Sequence, residues 1–90
     1  MFRLYAADTP AVAAVIDQSP LHELGCTVFH ASGFWRGVRE DSVIVEADQV
    51  DLATMEALAR EIVAACGEES VMISEIPTVT RFVTRKEMAA

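Results

Sequence analysis

The sequence is organised around one stretch, residues 33–46, which read GFWRGVREDSVIVE. This stretch contains the only Trp, two of the four Gly and two of the seven basic residues of the chain. It ends in β-branched residues, which favour a strand, and another strand-forming run precedes it over residues 26–31. The glycines at 33 and 37 permit positive φ angles or close approach of the backbone. The pattern predicts an antiparallel hairpin with a long connection around Trp35, in which a bulge is allowed.

The residues before the hairpin predict a strand and a short helix. Large apolar residues alternate with others over residues 1–6, as in a first strand. Thr9 has the character of an N-cap and Pro10 suits the first helical position. Apolar residues at 12, 15 and 16 then follow at helical spacing, and the helix is expected to end near Ser19. Residues 19–25 are compatible with one further helical turn or with a loop.

A long helix and a fourth strand follow the hairpin. Asp48 or Asp51 can cap the helix, Gly67 can end it, and its length is then about 16 residues, or ~24 Å. Its apolar positions fall on one face, at Leu52, Met55, Leu58, Ala59, Ile62 and Cys66. Residues 70–76 read as a fourth strand that stops at Pro77. Residues 78–84 are rich in β-branched residues and predict a fifth strand at an edge, and the tail over residues 85–90 is expected to fray.

The order of these elements predicts the fold class. Strand, helix, strand, strand, helix, strand is the order of a ferredoxin-like, or split βαβ, α+β domain, here over residues 1–84. Both helices then cover one face of an antiparallel sheet, with a possible extra C-terminal strand. Residues 43–45 and 71–73 are apolar at consecutive positions, as in strands that are buried on both faces. We therefore expect a homodimer or higher homo-oligomer, formed by sheet packing or by exchange of the terminal strand.

Composition and charge restrict the classes of partner. The chain has 90 residues, of which 52% are hydrophobic, more than one small core requires. Its net charge of -7 argues against direct binding of nucleic acid, because basic residues supply the affinity for phosphates. Residues 40–75 contain ten acidic residues against Arg60 alone, whereas Arg81, Arg85 and Lys86 cluster near the C-terminus. The acidic surface either serves solubility or meets a basic partner.

Location and cysteine use follow ordinary rules. The sequence shows neither an apolar leader nor an apolar run of about 18 residues, so export and membrane insertion are not expected and the cytoplasm is the expected location. Cys26 and Cys66 are forty residues apart and read as two buried thiols, although their spacing leaves a disulfide open.

The histidines suggest two kinds of site. His22, Cys26 and His30 are spaced four apart, which would align three zinc ligands on one helix, but Gly25 and the strand-forming residues after it interrupt such a helix. No metal site is therefore predicted. His30 with Glu46, or with Glu40 if the hairpin folds back, would make a general acid–base pair.

Trp35 suggests a binding site. With Arg36 and Arg39 it could stack on a flat ring and contact an anionic group. Alternatively, Trp35 closes the edge of the core and the arginines are exposed in the turn. Ser42 has no nucleophile motif around it and the chain has no phosphate-binding glycine loop, so no catalytic residue and no cofactor are predicted.

One combination of residues resembles a known pattern. Gly33-x-Trp35-x-Gly37-x-x-Glu40-x-Ser42, followed by a strand, a long helix and Glu69-Ser70-Val71, is similar to small uncharacterised α+β proteins of bacteria and their phages. The resemblance covers about residues 26–75. Such sequences often have Gln-Glu-Ser-Val before the last strand, and Glu68 stands here at the position of the Gln. The resemblance implies a compact accessory protein, encoded by a phage or mobile element, that sequesters a ligand or blocks a host protein.

These observations favour a nonenzymatic, oligomeric binding protein of the inhibitor or sequestering type, whose partner is a host protein or a small anionic ligand. The residues expected to contact it are Trp35, Arg36, Arg39, Glu40, Ser42 and His30. Two alternatives remain at this point. One is a small dimeric enzyme that uses His30 and a Glu at a cleft, and the other is an acidic mimic that occupies a nucleic-acid-binding surface.

Overall fold

A computed structural model describes residues 1–88 as an α+β domain with a four-stranded antiparallel sheet. In chain order, the elements are β1 (Phe2–Ala7), α1 (Pro10–Gln18), α2 (Leu21–Leu24), β2 (Thr27–Trp35), β3 (Val38–Ala47), α3 (Leu52–Cys66), β4 (Met72–Glu75) and α4 (Arg85–Met88). The strand order is β2-β3-β1-β4, and all three neighbouring pairs are antiparallel. This order is compatible with the predicted split βαβ arrangement. No helix among residues 1–88 is long and apolar enough to cross a membrane.

The two longer helices begin at their predicted caps. The Thr9 hydroxyl accepts a hydrogen bond from the backbone N–H of Val12 at 3.3 Å, and Pro10 starts α1. The second of the two candidate caps, Asp51, starts α3 by accepting from the N–H of Thr54 at 2.9 Å. Gly67 ends α3 with a φ of 69°, a left-handed conformation that glycine adopts without steric cost.

The core lies between one face of the sheet and the helices. Alternate residues of β1 and of the second half of β3 are buried, as expected for strands with one covered face. The largest fully buried side chains are Leu4, Val12, Leu21, Val45, Met55 and Ile62. The predicted apolar face of α3 is confirmed at Met55, Leu58 and Ile62, but Leu52 in its first turn is exposed.

The opposite face of the sheet, here called the open face, carries an apolar row. The strand register places Phe29 opposite Ile44, Ile44 opposite Tyr5, and Tyr5 opposite Met72, so that one row crosses all four strands. Phe29 is 43% exposed and Met72 is 57% exposed. The consecutive apolar residues that predicted burial on both faces therefore place part of their side chains on a face that residues 1–88 leave uncovered.

The hairpin is tighter than predicted. Pairing between β1 and β3 ends at Ser42, and beyond it residues 32–41, here called the ribbon, project as two strands. The connection consists of Arg36 and Gly37 alone, with φ of 50° and 79°, as a type I′ turn requires. The register runs without a break from Thr27 to Trp35, so the prediction of a long connection was wrong and no bulge is present within the pairs. The turn can be this short because Gly37 adopts a positive φ and the strands pair up to Trp35.

The predicted fifth strand is not formed. Residues 77–84, here called the C-terminal arm, contain no regular secondary structure. Ile76 still exchanges hydrogen bonds with Met1, but β1 begins at the next residue, so the sheet offers no further partner, and Pro77 lacks the N–H that a strand ladder needs. The Thr80 hydroxyl donates to the Asp48 carboxylate. Residues 85–88 form a single helical turn, α4, within the tail that was predicted to fray. The fraying itself stays a prediction, and the last two residues of that tail, 89 and 90, lie outside the described residues.

Candidate functional site

A cavity of about 460 Å³ lies on the open face, where the sheet meets the ribbon. Its floor includes Tyr5 and Met72, which are also members of the apolar row. Two segments that are distant in sequence form its walls. Trp35, Glu40 and Ser42 come from the hairpin, and Glu68, Glu69 and Ser70 come from the loop between α3 and β4.

The register of the hairpin explains why its three residues point together. Trp35 pairs with Val38 and therefore shares its face of the sheet. Glu40 and Ser42 follow Val38 at every second position of β3, so they lie on that face too. Gly33 lies between them on the same face. A Cβ atom added at Gly33 would be 2.8 Å from the Ser42 hydroxyl oxygen, which is closer than real contacts allow. Gly33 therefore serves close approach, whereas Gly37 serves the turn.

The loop after α3 is attached to the end of β1 by Glu68. Pairing between β1 and β4 ends at Tyr5, so β4 does not reach the backbone N–H of Ala7. The Glu68 carboxylate accepts a hydrogen bond from that N–H at 3.3 Å. Glu68 thus supplies a hydrogen-bond acceptor at the end of β1, and the side-chain oxygen of a Gln would be an acceptor of the same kind.

The cavity combines apolar surface with negative charge. Trp35 is 67% exposed, so its ring is accessible to a ligand. The polar side chains around it are the carboxylates of Glu40, Glu68 and Glu69 and the hydroxyls of Ser42 and Ser70. No basic side chain of residues 1–88 lines the cavity. Such a lining favours a ligand that donates hydrogen bonds or carries positive charge, with a flat or apolar part against the ring.

The two arginines predicted beside Trp35 do not face the cavity. The Arg36 guanidinium lies over the Trp35 ring, 5.6 Å from its centroid. Arg39 is on the other face of the ribbon, where it donates to the Ser32 hydroxyl at 2.8 Å and lies 3.7 Å from the Asp41 carboxylate. The anion site expected from one Trp and two Arg is therefore not assembled. The exposure of Trp35 also excludes the alternative in which it closes the core.

His30 also lies outside the cavity. Its side chain is 73% exposed, and its Nδ1 is 2.8 Å from the Asp8 carboxylate. The strand alternation places His30 on the face opposite to Glu40 and Glu46. Glu46 instead accepts from Arg3 at 2.8 Å, and this contact raises the pKa of the Arg3 guanidinium. The predicted pairing of His30 with a Glu of the hairpin is not formed.

The remaining candidates for metal or thiol chemistry are separated. Among the side chains of residues 1–86, no three His, Cys, Asp or Glu form a group that could hold a metal ion. Cys26 and Cys66 are free thiols and are only partly buried. Burial raises the pKa of the Cys26 thiol, and the Cys66 thiol donates to the backbone carbonyl of Ile62 at 2.8 Å.

Sequence reasoning had named three of the lining residues, Trp35, Glu40 and Ser42, as contact residues. Glu69 and Ser70 belonged to the motif on which the resemblance rested and Glu68 departed from it, but nothing in their spacing connected these residues with Trp35. The sequence predicted Tyr5 and Met72 only as strand residues. Their pairing opposite each other in β1 and β4 is the feature that would have indicated their place in the cavity. No protein-family model matches this chain, and a comparison with curated proteins finds no similar sequence.

Proposed function

We propose that this chain is a nonenzymatic binding protein whose cavity holds a small ligand with a planar apolar part and a hydrogen-bond-donating or positively charged group. The observation that carries the proposal is the convergence of the hairpin motif and the Glu68–Ser70 loop on one cavity. Its volume of about 460 Å³ falls within the range of about 300–1,000 Å³ that small-molecule sites occupy.

The chemistry of the lining supports this class of ligand. A cation over the ring of Trp35 gains about 0.5–1 kcal/mol at an exposed site. The three carboxylates of the lining add an attraction for the same charge, and an anion placed there would be repelled. A small anionic ligand, expected from the sequence, is therefore disfavoured at this site.

The finer aspects of the proposal are its fold family and its mode of action. The strand order is compatible with a ferredoxin-like domain, and the open face of the sheet offers a surface for assembly or binding. We infer an oligomeric protein that sequesters its ligand, in line with the accessory, inhibitor-like role that the resemblance to bacterial and phage proteins implies. The enzyme alternative loses its motivation, because His30 lies on the face of the sheet opposite to Glu40 and Glu46, the two partners predicted for it.

A titration with matched probes tests the proposal. Phenethylamine and phenylacetate have the same ring and opposite charge, and NMR of the backbone amides reports where each one binds. We expect phenethylamine at millimolar concentration to shift the amides of residues 5–7, 40–42 and 68–72, and phenylacetate to shift them much less. Absence of shifts at these positions with both probes would contradict the proposal.

Two neighbouring residues supply a matched pair of variants. Trp35 lines the cavity, whereas Phe34 is also exposed but lies on the other face of the ribbon. Trp35→Ala should weaken phenethylamine binding roughly fivefold, as expected from the loss of about 1 kcal/mol. Phe34→Ala should leave the affinity unchanged. Equal effects of the two substitutions would show that the ring in the cavity is not a binding element.

A further inference from the structure

We propose that the C-terminal arm of one copy packs across the apolar row of a second copy, and that the exchange is reciprocal, so that two chains form a dimer. The inference rests on the proposed function in one respect, because Tyr5 and Met72 belong both to the row and to the cavity. An arm lying on the row would form a wall of the cavity, and the binding site would be complete only in the dimer.

The arm is apolar and exposed. Val79, Phe82 and Val83 are 77%, 71% and 77% exposed, although each of them is a residue type that is usually buried. They lie within five residues, with Thr80 and Arg81 between them. A cluster of exposed large apolar side chains is typical of an interaction site.

The row on the open face is the complementary surface. Its members are Phe29, Ile44, Tyr5 and Met72, which cross the full width of the sheet. Four strands are about 14 Å wide at a spacing of about 4.8 Å. Residues 81–84, which follow the anchored Thr80, span up to about 14 Å when extended, which is close to that width. The dimensions of the two surfaces therefore match.

Charge favours contact between an arm and a domain, and opposes contact between two domains. Residues 1–76 contain thirteen acidic and four basic residues, whereas residues 77–90 contain three basic residues and one acidic residue. The basic residues Arg81, Arg85 and Lys86 lie within the arm or just after it. An exchanged arm thus brings positive charge to the acidic surface of its partner and reduces the repulsion between the two copies.

The occupant is a second copy because the arm is held away from its own row. Ile76 is bonded to Met1 at the beginning of β1, and Thr80 is bonded to Asp48 just after β3. Both anchors lie at the end of the sheet that is remote from the ribbon. The three apolar side chains of the arm are exposed in this arrangement, so their own domain does not bury them.

The size of the contact argues for a reciprocal exchange. Stable protein interfaces bury at least about 1,200 Å² in total, with about 20–30 residues on each side. One arm of eight residues is small by this measure. In a twofold dimer each junction occurs twice, so that a reciprocal exchange doubles the buried area.

Variants on the two surfaces test the exchange by solution mass. We expect the unmodified chain to be a dimer at micromolar concentration, and both the arm variant Phe82→Ser with Val83→Ser and the row variant Met72→Ser to shift toward monomer. Leu24→Ser is the matched control, because Leu24 is exposed on α2, outside both surfaces, and should leave the dimer intact. A monomeric unmodified chain, or an arm variant that remains fully dimeric, would overturn the proposal.

Disulfide trapping tests the path of the arm without relying on a weakened interface. A chain with Phe82→Cys and Phe29→Cys, and a second one with Phe82→Cys and Met72→Cys, should each form covalent dimers on mild oxidation. The single-cysteine variants control for reaction at the native Cys26 and Cys66. A disulfide within one chain would show that the arm closes on its own row and would overturn the exchange.

The phenethylamine titration separates this proposal from the function of the cavity. If the cavity amides shift but the chain is monomeric, the binding site stands and the exchange is wrong. If the chain is an arm-exchanged dimer and the amides do not shift, the exchange stands and the proposed ligand class is wrong. If both hold, the arm variant should bind phenethylamine more weakly than the unmodified chain, because it lacks one wall of the cavity.

Discussion

Glu68 provides the sharpest test of the relation between structure and binding, because its carboxylate has two separate roles. It accepts the N–H of Ala7 at 3.3 Å, which attaches the loop after α3 to the end of β1, and it lines the cavity as one of three carboxylates. Substitution with Gln preserves an acceptor and removes the charge. Substitution with Ala removes both. The two variants therefore separate the structural role from the electrostatic one.

The expected magnitudes follow from this contact. A hydrogen bond contributes about 0.5–1.5 kcal/mol net, and the distance of 3.3 Å is slightly longer than the usual N–H···O range of about 2.7–3.2 Å. We expect Glu68→Ala to lower the free energy of unfolding by about 1 kcal/mol, or the Tm by roughly 4–8 °C for a domain of this size. Glu68→Gln should lower it by less than about 0.5 kcal/mol, because the amide oxygen replaces the carboxylate oxygen. Both variants should weaken phenethylamine binding.

Thermal unfolding and hydrogen exchange at the Ala7 amide measure the structural role, and NMR titration measures the electrostatic one. Glu69 is the matched control, since it is exposed and lines the same cavity. Glu69→Gln should weaken phenethylamine binding without faster exchange at Ala7. The reasoning would be refuted if Glu68→Ala were as stable as the unmodified chain with unchanged exchange at Ala7, or if Glu68→Gln bound phenethylamine with full affinity.

Three further predictions concern the hairpin and the cap of α3. Gly33→Ala should change the free energy of unfolding by less than about 1 kcal/mol. The stability gained by removing a glycine from a strand offsets the cost of rotating the Ser42 hydroxyl away from the new Cβ atom. Phenethylamine titration should nevertheless show weaker binding. Arg36→Asn should stabilise the hairpin and slow hydrogen exchange in the ribbon. Asn adopts the positive φ at a cost about 1 kcal/mol lower than Arg does, and this gain exceeds the loss of about 0.5 kcal/mol from the contact between Arg36 and the indole. Faster exchange would contradict the turn type. Hydrogen bonds from Thr54 lower the pKa of the Asp51 carboxyl in the folded state. The ionised cap therefore stabilises the fold fully at pH values above the unfolded-state pKa of about 4. This contribution is lost as the pH falls through the lower folded-state pKa. Asp51→Ser should therefore reduce the acid sensitivity of the Tm below about pH 4, and an unchanged profile would exclude this role.

The parts of the fold that depend on neighbouring residues could be predicted from the sequence. A cap acts within three residues of its helix, so Thr9, Asp51 and Gly67 revealed the ends of α1 and α3. The order of strands and helices followed from periodicity. The fifth strand was predicted because residues 78–84 have the composition of a strand, but composition does not show whether the sheet still has a partner to offer, and after Ile76 it has none. The cavity joins Trp35 to Glu68 across more than thirty residues, and only the pairing of the strands brings them together.

Whether the hairpin connection has an even or an odd number of residues determines which of two candidate sites forms, the one around Trp35 or the one around His30. A two-residue turn pairs Trp35 with Val38 and therefore places Trp35 on the same face as Glu40 and Ser42. The same register places His30 on the opposite face from Glu40. A connection with an odd number of residues would exchange these outcomes, since a shift of one residue moves a side chain to the other face of the sheet. The predicted long connection left this parity open, and both sites were therefore compatible with the sequence. The positive φ of Gly37 allows the two-residue turn, and through it a glycine that does not line the cavity determines that the site is built from Trp35 and carboxylates and not from a histidine.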